Sequence, residues 1–256
     1  MGKYSGILIC SDYDGTLALE GKVLPGNAEA VNRFVAEGGM FTVISGRTPR
    51  EITRMTEGLA INAPAGAING TLLFHRETGE ELYAGTMDPG VPELVAALWR
   101  RFDYIRSFSC FDHARSYLFK REQEAERPVD DFLAALPAKL HKCCIHTGPE
   151  KSAEFRDLLR AEIGDRFNIS RSWNGGIEMQ SIRDSKGEAV RRMRELLGGT
   201  VRTIICVGDY ENDIPMFEAA DLSFAIGDGS PDTLAAADRV TVPVRENAIA
   251  KIISEL

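Results

Sequence analysis

The feature that most constrains this chain is an apolar run of strand length, residues 7–11, that ends in two carboxylates, a glycine and a threonine. The run predicts a buried parallel strand, because strands covered on both faces lack polar alternation. Asp12 and Asp14 then lie at the carboxyl edge of a sheet, where open α/β sheets bind ligands. If the extended backbone continues, both side chains point to the same side. Two neighbouring carboxylates repel each other unless a cation or a shared proton intervenes, so the pattern predicts a metal site.

The same stretch also has an ordinary structural interpretation. Asp, Gly and Thr are common turn residues, and Gly15 allows the chain to turn sharply after a strand. The functional interpretation therefore depends on what the later strand ends carry.

Composition is that of a globular protein with one large domain or two modest ones: 256 residues, 44% hydrophobic and 27% charged. No apolar run reaches the length of a membrane span, and the first residues lack a signal peptide's apolar region. The net charge of −8 disfavours nucleic acid or an anionic membrane as a partner. Five cysteines without zinc-like spacing fit a reducing environment, so a cytoplasmic location is expected.

Alternating strands and helices at both ends of the chain predict a doubly wound, Rossmann-like parallel sheet. Between them, helices mix with antiparallel strands and with a hairpin turn at Asn174-Gly175. The predicted organisation is an α/β core of residues 1–83 and 183–256, interrupted by an α+β insertion of residues 84–182.

The sequence also predicts two local features, a helix cap and an interrupted strand. Asn27 is predicted to cap the N-terminus of the first helix. Residues 65–74 are predicted to form a strand that is interrupted at Asn69-Gly70.

The ends of other predicted elements carry side chains suited to phosphoryl transfer. Ser45 ends the second strand, Lys186 opens a helix, and Asp209 follows the strand of residues 203–207. A carboxylate that attacks a phosphate monoester needs positioning and neutralised charge. Mg²⁺ is suited to this because it prefers hard oxygen ligands and binds few carboxylates together with phosphate. Asp12, Asp209 and Asp213 are the candidate ligand carboxylates.

Each remaining residue has a candidate role in the same chemistry. Asp12 would attack the phosphoryl group, and Asp14 would protonate the leaving alcohol and later deprotonate water. Ser45, the Gly46 amide and Lys186 would bind the phosphoryl oxygens.

The sequence resembles the haloacid dehalogenase superfamily of phosphatases over essentially its whole length. Four motifs carry the resemblance: Asp12-Tyr13-Asp14-Gly15-Thr16, Ser45-Gly46-Arg47, Lys186-Gly187 and Gly208-Asp209-Tyr210-Glu211-Asn212-Asp213. The long insertion between the second and third motifs is similar to the cap of the Cof-type, sugar-phosphatase-like branch, subfamily IIB.

The resemblance implies a Mg²⁺-dependent hydrolase of small phosphomonoesters that forms a phosphoaspartate and has an α+β cap. It implies Asp12 as nucleophile, Asp14 as acid and base, and Asp209 as a metal ligand. The backbone carbonyl of Asp14 would be a further ligand, and Asp213 would ligate directly or through water. Asn212 would organise the phosphate.

Three features lie beside this set of residues. Arg47 and Asn69 border the predicted site and are candidates for contact with substrate. Many Cof-type relatives carry Gly-Asn-Ala where this chain has Gly227-Asp228-Gly229, which places an acid near the expected site entrance.

Three other functional classes are alternatives to a hydrolase. A signalling receiver domain also phosphorylates an aspartate, but it is far shorter and has no such insertion. A phospho-ligand binding protein without activity would not need both Asp12 and Asp14. A phosphotransferase or phosphomutase of the same superfamily is the nearest enzymatic alternative.

Overall fold

The computed structural model describes residues 2–256, which divide into two compact units. One, here called the α/β unit, comprises everything up to Ala84 together with Ser185–Leu256, and the other, the inserted unit, comprises Gly85–Asp184.

The strands are β1 Ile7–Ser11, β2 Ala18–Leu19, β3 Lys22–Val23, β4 Met40–Val43, β5 Ala65–Ala67, β6 Leu72–Phe74, β7 Glu81–Ala84, β8 Ser107–Phe111, β9 Ser116–Lys120, β10 Lys142–His146, β11 Phe167–Trp173, β12 Gly176–Ser181, β13 Thr203–Gly208, β14 Leu222–Ala225 and β15 Arg239–Val240. The helices are α1 Pro25–Ala36, α2 Pro49–Met55, α3 Val91–Arg101, α4 Val129–Ala134, α5 Pro149–Ile163, α6 Lys186–Leu197, α7 Ile214–Ala219, α8 Pro231–Ala236 and α9 Ala248–Ser254.

The main sheet of the α/β unit is parallel, with the strand order β15-β14-β13-β1-β4. The chain adds β4 on one side of β1 and the later strands on the other, so β1 lies where the winding direction reverses. Ser11 at the end of β1 pairs with Val207 of β13 and Val43 of β4. The carboxyl ends of the three strands therefore meet at one edge, which is the position where doubly wound sheets bind ligands.

Apolar packing holds this sheet between helices. Leu8 and Cys10 of β1 belong to a buried cluster with Val190 and Met193 of α6 and Met216 of α7. Helix α1 contacts β4 and α9. A parallel sheet with covering helices agrees with the continuous apolar runs of its strands.

The prediction for Asn27 is wrong. Helix α1 begins three residues earlier than predicted, at Pro25, with Leu24 as its N-cap. Proline at the first helical position has its backbone angle already set and has no N–H to satisfy, which favours this start. The buried Asn27 instead donates to the carbonyl of Leu17 and accepts from the N–H of Ala250.

The stretch predicted as one interrupted strand is an antiparallel hairpin. Strands β5 and β6 pair through Ala65↔Phe74, and the turn Ile68–Gly70 joins them. β7 extends the small sheet beyond β6.

The inserted unit is a separate α+β module. Its antiparallel sheet has the order β11-β12-β10-β8-β9, and its buried core includes Trp99, Phe108, Phe119 and Phe155. Across residues 2–256, no helix combines the length and apolar character needed to cross a lipid bilayer.

Candidate active site

Lys186 is the charged centre of the predicted site. It is the first residue of α6, whose N-cap Ser185 accepts a hydrogen bond from the N–H of Glu188. Its ammonium group donates to Asp12 Oδ1 and Asp213 Oδ1, both at 2.6 Å, and its side chain is only 1% exposed. Burial alone would lower the pKa of Lys186, but the two carboxylates raise it by more, so the group stays cationic.

Asp12 follows β1 directly and is buried. Its backbone N–H donates to the carbonyl of Val207 at 2.9 Å, which fixes the residue against the end of β13. Its side chain meets Lys186 from the motif that lies about 170 residues later in the chain.

Asp12, Asp209 and Asp213 form a cluster of carboxylates. Each offers an oxygen that lies within 4.8 Å of the other two. Asp209 also accepts a hydrogen bond from Thr16 Oγ1 at 2.8 Å. Thr16 belongs to the first motif but received no role from the sequence, although its place two residues after Asp14 was a usable signal.

Asp213 has a second structural role. Its Oδ2 accepts from the N–H groups of Asp209 and Tyr210, at 2.9 and 3.0 Å, while Oδ1 accepts from Lys186. The residue therefore shapes the loop that carries Asp209. These hydrogen bonds engage both of its oxygens.

Two glycines allow this close packing. Gly15 has a φ of +79°, and a Cβ there would lie 2.5 Å from Asp209 Oδ2. A Cβ on Gly208 would lie 2.4 Å from Cβ of Asp213. Larger residues would therefore push the carboxylates apart.

Asp14 lies outside the carboxylate cluster. Strand β1 ends at Ser11, and Tyr13 is in a turn, so the extended geometry that would align Asp12 with Asp14 does not continue. Both oxygens of Asp14 accept hydrogen bonds from Arg47, from Nε and Nη2 at 2.9 Å each. Each side chain of this pair is 42% exposed. The structure therefore places Arg47, a candidate for substrate contact, on Asp14.

Ser45 and Asn212 lie on the loops that follow β4 and β13. The N–H of Ser45 donates to the carbonyl of Gly66, and its Oγ accepts from the N–H of Arg47 at 3.4 Å. Asn212 Nδ2 donates to Asn69 Oδ1 at 3.4 Å, and both residues are buried. The predicted residues of the second and fourth motifs are thus brought to the same edge as Asp12.

Asp228 has a structural contact of its own. Its Oδ1 accepts from the N–H of Val244 at 3.0 Å, which ties the loop after β14 to the turn before α9.

Comparison with known protein families identifies the family to which this site belongs. A family model for haloacid dehalogenase-like hydrolases matches residues 9–253. The chain belongs to the haloacid dehalogenase-like hydrolase family. The resemblance drawn from the four motifs is therefore confirmed, and with it the prediction of a phosphatase-type enzyme.

Individual relatives of this hydrolase agree with the family match. The chain is 37% identical over 183 residues to a phosphoglycolate phosphatase of Methanosarcina acetivorans, covering 71% of this chain and 77% of that protein. It is 26% identical over 267 residues to an Arabidopsis thaliana protein named chloroplastic endoribonuclease YBEY. That match covers 96% of this chain but 45% of the relative, so the chain spans less than half of that protein's length.

Among solved structures, the HAD subclass IIB sugar phosphatase BT4131 matches with a TM-score of 0.78 at 20% identity, covering 97% of this chain and 98% of that one. At this identity the match shows the fold. The predicted α/β class with a parallel sheet and an inserted cap is therefore confirmed for this hydrolase.

The charges of the site suit a cation. Burial raises the pKa of Asp12 well above its usual range, and Asp213 and Asp209 add to this against the opposing effect of Lys186. Burial, and then the neighbouring Asp213, raise the pKa of Asp209 to about 7. The buried carboxylates of Asp12 and Asp213 and the half-buried carboxylate of Asp209 lie near one ammonium group, so a divalent ion that prefers oxygen ligands fits this set of donors.

These shifts predict how the stability of the metal-free hydrolase depends on pH. An acid whose pKa is higher in the folded state than in the unfolded state favours folding at low pH. For Asp209 this contribution is lost as the pH rises from about 4, its unfolded pKa, through about 7. The melting temperature in EDTA should therefore fall between pH 5 and pH 8.

The control is Asp209→Asn, which cannot ionise. Half of the pKa shift of Asp209 is worth about 2 kcal/mol, or roughly 4–8 °C in Tm. The variant should be more stable than the wild type at pH 8 by about this amount, with a smaller difference at pH 5. Equal pH dependence in the two proteins would show that Asp209 does not carry this charge.

Proposed function

We propose that this chain is a Mg²⁺-dependent phosphatase that hydrolyses small phosphomonoesters, such as sugar phosphates, through an aspartyl-phosphate on Asp12. The observation that carries the proposal is the buried Lys186, which holds Asp12 at 2.6 Å beside the carboxylates of Asp209 and Asp213. This cluster supplies a positioned nucleophile and a place for cationic charge, which are the main requirements of phosphoryl transfer.

In the proposed first step, a carboxylate oxygen of Asp12 forms a bond to phosphorus as the bond to the ester oxygen breaks. Asp14 gives its proton to that leaving oxygen. Lys186, Ser45, the Gly46 amide and Asn212 are proposed to bind the phosphoryl oxygens.

In the second step, water attacks the phosphorus of the aspartyl-phosphate, and Asp14 takes the proton of that water. The bond between Asp12 and phosphorus then breaks, which releases inorganic phosphate and restores the carboxylate.

Mg²⁺ would be held by Asp12 and Asp209, with the Asp14 carbonyl as a further ligand, and would neutralise charge on the nucleophile and phosphate. The hydrogen bonds that occupy both oxygens of Asp213 support a role through water rather than direct ligation.

Asp14 can act as an acid only if one of its oxygens is turned toward the leaving group. Because Arg47 occupies both oxygens, we infer that Arg47 leaves at least one of them when substrate binds. The 42% exposure of the Arg47 side chain leaves room for this movement.

The names of similar proteins support small soluble substrates. One relative is a phosphoglycolate phosphatase and one structural neighbour is a sugar phosphatase. We expect this chain to act on molecules of comparable size.

The test is release of inorganic phosphate from a panel that includes hexose phosphates, phosphoglycolate and p-nitrophenyl phosphate, with Mg²⁺ present. We expect release from several compounds, loss of activity in EDTA and recovery when Mg²⁺ is restored. A second alcohol added as acceptor should produce no phosphorylated product. Undiminished turnover in EDTA would refute the metal requirement, and transfer to the alcohol in preference to water would favour a phosphotransferase.

A further inference from the structure

The turn between β5 and β6 is the most unusual stretch of backbone in the α/β unit. Ile68, Asn69 and Gly70 have φ values of +51°, +55° and +83° in succession. The left-handed region is disfavoured for β-branched residues such as isoleucine. Within residues 2–256 the other non-glycine residues with positive φ are Glu20, which is followed by Gly21 at φ +75°, and Asn247; neither belongs to a run of three. All three residues of the turn are buried.

The residue that follows the turn adds a second energetically unfavourable feature, an unpaired buried hydroxyl group. Thr71 is fully buried, and its Oγ1 has no hydrogen-bond partner among the described residues. Native structures satisfy most buried polar groups, so such exceptions call for an explanation. A segment with unfavourable backbone and an unpaired hydroxyl is held in place by its surroundings, and such segments concentrate at functional sites.

The turn holds both ends of the Ser45-Gly46-Arg47 loop. The N–H of Asn69 donates to the carbonyl of Ser45 at 2.8 Å, and the N–H of Ile68 donates to the carbonyl of Arg47 at 2.9 Å. Two successive N–H groups can reach these two carbonyls because the turn is wound in the left-handed region.

The same turn packs against the start of α6. A Cβ on Gly70 would lie 2.6 Å from the carbonyl oxygen of Ser185 and 2.6 Å from Cβ of Ala189. Ser185 caps the helix that begins with Lys186. The turn therefore contacts the backbone that immediately precedes Lys186.

The side chain of Asn69 gives the turn a third contact with the site loops. Asn69 Oδ1 accepts from Asn212 Nδ2 at 3.4 Å. The turn thus contacts three separate loops, those that carry Ser45, Lys186 and Asn212.

We propose that the turn Ile68–Gly70 sets the spacing of the three phosphate-binding loops and that Asn69 is a positioning residue which acts through Asn212 and Ser45. This rests on the proposed function and adds to it a residue that touches no reacting atom. Phosphoryl transfer depends mainly on placement, and a displacement of about 1 Å can lower the rate about 10²-fold. A turn that joins three loops at once fixes their placement more firmly than separate contacts would.

Two substitutions separate the backbone from the side chain. Asn69→Gly permits the left-handed backbone but removes the amide that meets Asn212, and we expect kcat to fall about 10-fold. Asn69→Ala removes the amide and also disfavours the backbone conformation, and we expect a fall of about 10²-fold. Each factor should be the same for every substrate in the panel.

The chain offers a matched control in Asn247, which also lies in the left-handed region, at φ +57°, as the N-cap of α9. Asn247→Ala imposes the same backbone penalty at the start of α9, which packs against α1. We expect the two alanine variants to lose similar amounts of thermal stability, and Asn247→Ala to keep its kcat within about twofold.

A binding measurement completes the test without turnover. Inorganic phosphate with Mg²⁺ should raise the Tm of the wild type and of Asn247→Ala, and should raise that of Asn69→Ala much less. Equal stabilisation of all three proteins, or unchanged kcat in Asn69→Ala, would overturn the positioning role. Losses that differ between substrates would instead assign Asn69 to the leaving group.

Three further outcomes have a defined interpretation. If Asn69→Ala does not fold, the tenfold loss expected for Asn69→Gly decides the question, because glycine tolerates this backbone. A wild type that releases no phosphate but is stabilised by phosphate would overturn the proposed hydrolysis and leave the positioning role standing. A wild type that does neither would overturn both.

Discussion

Replacing Asp12 by asparagine is expected to lower phosphate release by about 10⁴-fold or more, because removal of a nucleophile takes away the covalent step. An amide of nearly the same shape cannot attack phosphorus, although its oxygen can still accept the hydrogen bond from Lys186. The fold should persist. Burial already disfavours the charge on Asp12, so the neutral variant should be at least as stable as the wild type in EDTA.

The measurement is phosphate release with Mg²⁺, together with the Tm of each protein. Asp232→Asn is the matched control, because Asp232 is exposed in the first turn of α8, and we expect wild-type activity from it. Turnover of Asp12→Asn within tenfold of the wild type would exclude Asp12 as the nucleophile. A loss of activity accompanied by a large fall in Tm would mean that the variant reports folding rather than chemistry.

The parallel sheet could be predicted because its strands are continuous apolar runs. The run at residues 7–11 is β1, and the polar residues that follow it must lie at the sheet edge. The register of β1 with β4 and β13 then brings the motif loops together. Sequence motifs sufficed for the residues that directly follow a strand or begin a helix, which are Asp12, Asp209 and Lys186.

The partners of the site residues could not be predicted, because they depend on turn geometry. The sequence suggested that Asp12 and Asp14 share one side, but the strand ends at Ser11 and the two side chains have different partners, Lys186 and Arg47. The bonds of Asp213 to two N–H groups depend likewise on the path of one loop.

The Ile68–Gly70 turn shows the same limit most clearly. Asn69-Gly70 is a turn dipeptide that the sequence reveals, but isoleucine gives no indication of positive φ, since its branched side chain disfavours it. Tertiary contacts with Ser45, Arg47 and Ser185 impose that conformation. Propensity therefore located the turn without giving its shape.

The second large effect is expected from Lys186→Met, which keeps the length of the side chain and removes its charge. The substitution leaves Asp12 and Asp213 buried without their common cation. Breaking a buried ion pair from one side typically costs about 3–5 kcal/mol, which corresponds to a fall of at least roughly 6–12 °C in Tm. Loss of a donor to the charge that develops on the phosphoryl group should also lower kcat by about 10²–10³-fold.

Lys142→Met is the matched control for the stability effect. Lys142 and Glu178 form an equally buried pair in the inserted unit, also at 2.6 Å, so removing that ammonium should lower Tm similarly.

The response of Tm to Mg²⁺ distinguishes the two variants. A divalent ion among Asp12, Asp209 and Asp213 can replace part of the lost charge of Lys186, so Mg²⁺ should raise the Tm of Lys186→Met more than that of the wild type. Lys142→Met should respond to Mg²⁺ as the wild type does. If both variants respond alike, the carboxylates around Lys186 do not form the metal site, because removal of its ammonium must strengthen the attraction of these carboxylates for any cation that they hold.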